Sequence, residues 1–445
     1  MAELSPRHLA VDILDRVFKT GSYADILLAS TLRTVLLSPE DRALTTDLVY
    51  GTLRWWGWLT WILQKTYHGE WRRIPPVVKR VLEMGLYQLL FLDKIPDHAA
   101  VNESVKIAVE KHKVVWGRVV NAMLREILRN PSLTEPPDMA TDPVHAIAVR
   151  WSHPDWMVQR WVDLWGVERT KALCQANNER PLIGVRINPI KSIRDEILKT
   201  CQGMFVGAAP SKFLDTFITV EKSGSLVTSD DLKNGLFTIQ DESAGLVGLL
   251  VDPQPGERII DLASAPGGKA AHMAEIRRDT DIILAVDRHS GRLGKVVENI
   301  RRLNLKSIFP VLADGCRSGL RPADKVLVDA PCSSLGGIRK QGELRWRRKP
   351  EDIPHRVALQ KELLNAASDL VKPGGVLVYS TCTIMPEENQ NQIDAFLETH
   401  LDFGVDHAGA FVDERVVSSR GFIETWPDRH NMDGSFAARL KRKSH

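Results

Sequence analysis

From Ser5 to about Asn130, apolar positions recur every three or four residues. Leu9, Ile13 and Val17 share one helical face, as do Val78, Val81, Leu82, Leu86 and Leu89. Ser38, Pro39 and Glu40 carry the residue types of a helix start. The stretch RWWGWLTWIL, Arg54 to Leu63, is unusually aromatic and reads as a helix using tryptophan as core filler. No alternation of period two interrupts the region, which predicts an all-α bundle over residues 1–130. NPSLTEPPDMATDP, Asn130 to Pro143, is rich in proline and polar residues and predicts a linker over 131–144.

The pattern then changes. WSHPDWMVQRWVDLWG (Trp151 to Gly166) and ERTKALCQANNE (Glu168 to Glu179) predict two helices. LIGVRINP (Leu182 to Pro189) predicts a strand, and SIRDEILKTC a further helix. Together they form a small α/β unit over 145–230. Across 231–445 short apolar runs alternate with helical stretches. The strand candidates are Arg258 to Leu262, Ile282 to Val286, Ile308 to Leu312, Lys325 to Val328 and Val376 to Tyr379. The helical stretches between them include Arg292 to Leu303 and Val357 to Leu370. This order is that of an α/β, Rossmann-like doubly wound sheet. No internal repeat or low-complexity tract is present.

Composition changes the picture little. A chain of 445 residues needs more than one core, and its formal net charge of +3 gives only a weak pull toward polyanions. Cys174, Cys201, Cys316, Cys332 and Cys382 are odd in number, far apart and without a C-x-x-C pair. That excludes a disulfide framework and a zinc site, so no metal is expected and a reducing cytoplasm is the expected home. MAELSPRHLAVDILDRVFKTG mixes charged and apolar residues, unlike a signal peptide. No apolar run approaches the roughly 20 residues that span a bilayer, so no membrane partner is expected. Nothing in the chain calls for more than a monomer.

Two motifs carry chemistry. RIIDLASAPGGKAAHMAE, Arg258 to Glu275, reads as strand, tight turn and helix, with Gly267 and Gly268 permitting close backbone approach to an anion. The next strand ends in Asp287, about 20 residues beyond the glycines, where a carboxylate accepts from ribose hydroxyls. Neither G-x-G-x-x-G nor a P-loop is present, and S-adenosylmethionine fits better than a dinucleotide or triphosphate. Asp314, ending LAD after the third strand, is placed either to accept from an adenine amino group or to cap its loop.

The second motif is a pair. Cys332 in KVLVDAPCSS and Cys382 in VYSTCTIMPEEN each follow the carboxyl end of an apolar strand. Ligands in such sheets bind beyond those ends. A thiolate beside a methyl donor suits the chemistry of cytosine carbon 5. Addition of sulfur to carbon 6 breaks aromaticity and makes carbon 5 nucleophilic. Asp329 is placed to stabilise charge at ring nitrogen 3. A second acid/base group speeds loss of the carbon 5 proton and release. The residues alone leave the two sulfurs interchangeable.

DAPCSS, STCTIMPEEN and the AxAPGGK-type turn resemble the RNA cytosine-5 methyltransferases, and within them the bacterial 16S rRNA enzymes of the RsmB (Sun, Fmu) type. The resemblance extends over nearly the whole chain. It implies a NusB-like RNA-binding domain at the N-terminus and a class I methyltransferase domain over 231–445. By this likeness Cys382 is the nucleophile and Cys332 assists release. The cofactor contacts it implies are Ala263, Ser264, Ala265, Pro266, Gly267, Gly268, Lys269, Asp287, Asp314 and Asp329. The chain departs from the family pattern at Ala263 (commonly cysteine), Ala270 (threonine), Gln341-Gly342 (His-Pro) and Ser435 (a second aromatic).

IRKQGELRWRRK, Ile338 to Lys349, packs basic residues around a tryptophan. Arg339, Lys340, Arg345, Arg347 and Arg348 are expected to meet phosphates, with Trp346 stacking on a base. Arg72, Arg73, Lys79, Arg80 and the Lys111–Lys113 cluster are further candidate RNA contacts. The expected partner is RNA, rRNA first, with tRNA or large-subunit rRNA as alternatives. A non-catalytic ribosome-assembly factor is the rival class; intact thiols in both motifs argue against it. An amino-group methyltransferase would place an aromatic after the fourth strand, where this chain has Ala330-Pro331-Cys332.

Overall fold

In the first of two compact units of the computed structural model, residues 5–179 and 338–348 fold together; the described residues overall are 5–204, 207–221 and 226–444. Helices α1 (Pro6–Thr20), α2 (Ala24–Thr34), α3 (Pro39–Thr66), α4 (Pro76–Phe91), α5 (Asp97–Lys111) and α6 (Val114–Arg129) bury one shared core. Leu14, Leu48, Leu59, Ile62, Val81, Leu82, Leu86 and Leu124 are fully buried there. The Ser38 hydroxyl caps α3 by accepting from the Asp41 N–H at 3.1 Å. Helices α7 (Pro143–Arg150), α8 (Asp155–Trp165) and α9 (Val167–Ala176) belong to the same unit. The tryptophan-rich stretch lies within α3, with Trp58 in the core and Trp55 and Trp61 packed against it.

The second unit, residues 180–337 and 349–445, contains two sheets. In the smaller, β1 (Ile183–Ile187), β2 (Ala209–Pro210), β3 (Phe217–Val220) and β4 (Phe237–Ile239) pair antiparallel in the order β2-β3-β1-β4. Helix α10 (Arg194–Met204) covers it through Ile197 and Cys201. The sequence marked only β1, because β3 and β4 are too short to show a period. After the four-residue α11 (Asp230–Lys233) and the apolar α12 (Glu242–Val251), the larger sheet begins.

Its strands are β5 (Arg258–Leu262), β6 (Ile282–Asp287), β7 (Ile308–Leu312), β8 (Ala323–Asp329) and β9 (Val371–Thr381), all parallel. Helices α13 (Gly268–Ile276), α14 (Ser290–Leu303) and α16 (Asp352–Asp369) connect them; α15 (Leu344–Arg347) lies in the first unit. After α17 (Gln390–Thr399) come β10 (Phe403–Val405), β11 (Ile423–Thr425), the short α18 (Pro427–His430) and β12 (Ser435–Arg442). The order is β10-β12-β9-β8-β5-β6-β7, with β11 beside β12. β12 runs antiparallel to β9 and opposes Phe436 to Thr381.

Burial follows this order. β5 and β8, with neighbours on both sides, are near-continuous apolar runs, as a sheet covered on both faces requires. β7 is the edge; it carries Pro310 and exposes Phe309 and Leu312. The chain leaves β5 toward β6 and β7, then returns to pair β8 with β5. The crevice beyond the carboxyl ends of β5 and β8 is therefore the topological switch point. No helix among the described residues is long and apolar enough to cross a membrane.

A buried ion pair fixes the small sheet to the turn at this switch point. Arg186 on β1 donates to both Glu275 carboxylate oxygens, at 2.7 and 3.0 Å, and to the Gly268 carbonyl at 2.8 Å. Both side chains are essentially without solvent contact, so the fork geometry offsets a large desolvation cost.

Candidate active site

The turn after β5 is built by backbone conformations that few residues adopt. Ala263 has φ 66° and Gly267 φ 91°; a Cβ at Gly267 would also press on Val296 at 3.1 Å. The Gly267 N–H donates to the Ser264 carbonyl at 2.7 Å. Arg292 and Asn299 donate to the carbonyls of Ala265 and Pro266, at 2.7 and 3.0 Å. With its carbonyls held outward, the turn leaves the start of α13 for a ligand.

Asp287 ends β6 as a buried residue. Its Oδ1 accepts from the His289 N–H at 2.9 Å, while Oδ2 has no hydrogen-bond partner and lies 3.8 Å from Arg292. A buried acceptor without donors is uncommon and suits the hydroxyls of a ribose. Asp314 is exposed, and its Oδ1 caps a short 3-10 turn through the Cys316 N–H at 2.9 Å. Asp261, on β5, is fully buried with Ser264 Oγ donating to it at 2.7 Å. Burial raises its carboxyl to about 7, helped by the charges of Asp329 and Asp287.

The two cysteines meet. Asp329 and Ser380 are paired residues of β8 and β9, so the loops that follow leave the sheet side by side. Cys332 Sγ lies 3.3 Å from Cys382 Sγ. Between sulfur and sheet, Ser380 Oγ donates to Asp329 Oδ1 at 3.0 Å, and Lys269 Nζ pairs with Asp329 Oδ2 at 2.7 Å. Although burial opposes its charge, Asp329 holds the Lys269 ammonium above its ordinary value.

The environments of the sulfurs differ. Cys332 is buried, and the hydrogen bond with Cys382, burial, and the charges of Cys382 and Glu388 push its thiol well above the usual range. Cys382 is exposed. Its hydrogen bond with Cys332 draws the thiol below its ordinary value against desolvation, with support from Ser334 and Lys269 and opposition from the charge of Asp329.

Several residues that shape this site lay unnoticed in the sequence. Glu388 is fully buried and accepts from the Ser333 N–H at 2.8 Å, from Ser333 Oγ, and from Gln360 Nε2 at 3.0 Å. Ser333 Oγ bonds Thr383 Oγ1 at 2.8 Å. Asn389 donates to the Thr383 carbonyl at 2.9 Å and accepts from Thr381 Oγ1 at 2.6 Å. A polar Pro-Glu-Glu-Asn run looks like surface loop; its signal is that it follows an apolar strand tip that carries a thiol. Gly336 donates to the Cys382 carbonyl at 3.1 Å, and a Cβ there would lie 1.7 Å from the Gly434 carbonyl oxygen.

The basic segment after Cys332 requires a correction. It turns inward within the first unit. Arg345 is fully buried and donates to the Ser152 carbonyl at 3.0 Å, Asn178 Oδ1 at 2.8 Å and the Asn177 carbonyl at 3.3 Å. Burial, then the charge of Arg54, lowers its guanidinium to about 9. Trp346 packs edge-on against Trp56 at 4.8 Å, over Gly57, where any Cβ would lie 2.4 Å from the indole. Arg347 donates to the carbonyls of Val17 and Ser22, at 3.2 and 2.5 Å. Arg339 is buried beside Glu179. The three arginines Arg339, Arg345 and Arg347 bond protein groups, Arg339 and Arg345 out of reach of solvent; Trp346, Arg347, Lys340 and Arg348 are half-buried.

A strand order that reverses between β5 and β8 is that of a Rossmann-like fold, and its likeness to known proteins makes it a methyltransferase domain. The model of the 16S rRNA methyltransferase RsmB/F family matches residues 248–441. Those of the NusB family and of the RsmF/B-like ferredoxin-like domain match residues 4–129 and 153–226. The probable ribosomal RNA small subunit methyltransferase B of Synechocystis is 35% identical over 446 residues, covering 99% of this chain and 100% of that one. Its Bacillus subtilis counterpart is 33% identical over 456 residues, covering 100% of both. The crystal structure of a methyltransferase homolog protein from Pyrococcus horikoshii is 26% identical, with TM-score 0.58, over 68% of this chain and 99% of that one. This chain belongs to the RsmB/F family of rRNA methyltransferases. It is an RNA methyltransferase with a NusB-like N-terminal domain and a small ferredoxin-like domain.

Proposed function

We propose that this enzyme methylates carbon 5 of a cytosine in small-subunit (16S) rRNA through a covalent bond between Cys382 and carbon 6, with S-adenosylmethionine as donor. The observation that carries the reading is the 3.3 Å separation of two thiols beside the Asp329–Lys269 pair. Cys382 has the exposure and the raised thiol acidity of an attacking sulfur. As its bond to carbon 6 forms, electron density moves toward ring nitrogen 3, and the acidic proton held in the Asp329–Lys269 pair, braced by Ser380, would supply the hydrogen bond that balances it. Asp287 and the turn from Ala263 to Lys269 would hold the cofactor, which supplies an electrophilic methyl group. Carbon 5 takes the methyl; Cys332, as thiolate after losing its own proton to solvent, takes the carbon 5 proton, the electrons left behind re-form the C5–C6 double bond, and the sulfur–carbon 6 bond breaks with its electron pair returning to Cys382.

The small-subunit target rests on the names of full-length relatives and the matching family. The test is direct. Cys382→Ala should lower methyl transfer to 16S rRNA at least about a thousandfold and abolish the adduct with 5-fluorocytosine RNA. Cys332→Ala should accumulate a denaturation-resistant enzyme–RNA complex. Full turnover by Cys382→Ala overturns the assignment.

A further inference from the structure

The buried carboxylate of Glu388 bonds the residue after Cys332. Among the described residues no lysine or arginine pairs with Glu388. Its hydrogen bonds come from Ser333, the residue after Cys332, and from Gln360, which also donates to the Pro331 carbonyl at 3.1 Å. Its own carbonyl accepts from the Tyr379 hydroxyl at 2.7 Å. A chain of hydroxyls then crosses to the other loop. The Met385 N–H donates to Thr383 Oγ1 at 3.3 Å, and Thr383 contacts Ser333 Oγ, which donates to Glu388. With Glu388 as an ionised acceptor, Ser333 donates to it and Thr383 donates in turn to Ser333.

The charges around the sulfurs are therefore asymmetric. Glu388 accepts from the backbone N–H one residue past Cys332, so its charge bears on that sulfur. Lys269 and Asp329, themselves paired, face Cys382. Two thiols in hydrogen-bond contact share one proton once either ionises, and it stays where negative charge is closest. We propose that Glu388 is a positioning residue that keeps this proton on Cys332 and thereby makes Cys382 the nucleophile. This rests on the cysteine-adduct reading for its consequence, but not for its test. The proton assignment also lets the Cys332 S–H support the thiolate of Cys382 before attack and again on release.

The experiment is site-resolved alkylation by iodoacetamide of the full-length protein across pH 5–10, without RNA, read by mass spectrometry. In the unaltered protein Cys382 should react at a pH lower by about one unit or more than Cys332. Glu388→Gln keeps the shape and removes the charge. It should bring the two profiles together, Cys382 moving up and Cys332 down, each by about half a unit or more. Glu388→Asp, which restores the charge, should recover part of the separation; a merely structural Glu388 would not show this. Coincident profiles in the unaltered protein, or a Glu388→Gln separation unchanged, overturns the proposal. The first measurement decides even if Glu388→Gln fails to fold. If Cys382→Ala keeps full turnover while these profiles hold, the cysteine-adduct reading falls and the proton assignment stands.

Discussion

The tips of β8 and β9 make a controlled comparison within one molecule. Both are parallel strands in the middle of the same sheet, both end in a polar residue, and both place a cysteine within three residues of it. The sulfurs nevertheless differ in exposure and in the direction of their acidity shifts. The difference comes first from the hydrogen bond between the two sulfurs and from the burial of Cys332, with the charge of Glu388 adding on one side and that of Lys269 on the other. Several of these groups are distant in sequence from the thiol they act on.

That comparison can be sharpened by perturbing the groups around the tips. The largest expected effect is at the tip of β5. Asp261 is held near 7 by burial, so at pH 5–6 the folded protein keeps a proton that the unfolded chain has released. Stability should therefore fall as pH rises from about 4 toward 7, by roughly 2–4 kcal/mol in all. Asp261→Asn should remove that slope, checked by urea unfolding at pH 5 and pH 8. An unaltered slope would show that the proton resides elsewhere.

A smaller effect is expected at Lys269. Lys269→Met leaves Asp329 facing Cys382 without its cation, and the alkylation profile of Cys382 should rise by about one pH unit. Unlike Glu388→Gln, it should not lower the profile of Cys332, so the two variants separate the two sides of the comparison. The smallest change is Thr383→Val, which cuts the hydroxyl chain but leaves every charge in place. It should cost about 1 kcal/mol in unfolding free energy with the order of the two thiol profiles preserved. A reversal there would mean that hydrogen bonding, not charge, sets the order.

Some of this was readable from residues alone. Apolar runs at Arg258–Leu262 and Lys325–Val328 are strands because a sheet covered on both faces buries every side chain of its central strands. Thiols just past such runs had to lie at one edge. The segment Ile338–Lys349 misled for an equally physical reason. A guanidinium offers the same N–H fork to a phosphate and to a buried carbonyl, so composition cannot say which Arg345 meets. Glu388 was passed over because a carboxylate near a loop is ordinarily solvated; only the fold shows it fully buried.

By itself the sequence determined the periodicities, the strand tips and the presence of two sulfurs beside a glycine-rich turn, since these follow from local spacing. Only the tertiary structure decided how close the sulfurs come, which of them is shielded, and that Arg339 and Arg345 of Ile338–Lys349 are buried. Those properties depend on dielectric and on charges brought together from distant parts of the chain. No local pattern encodes either.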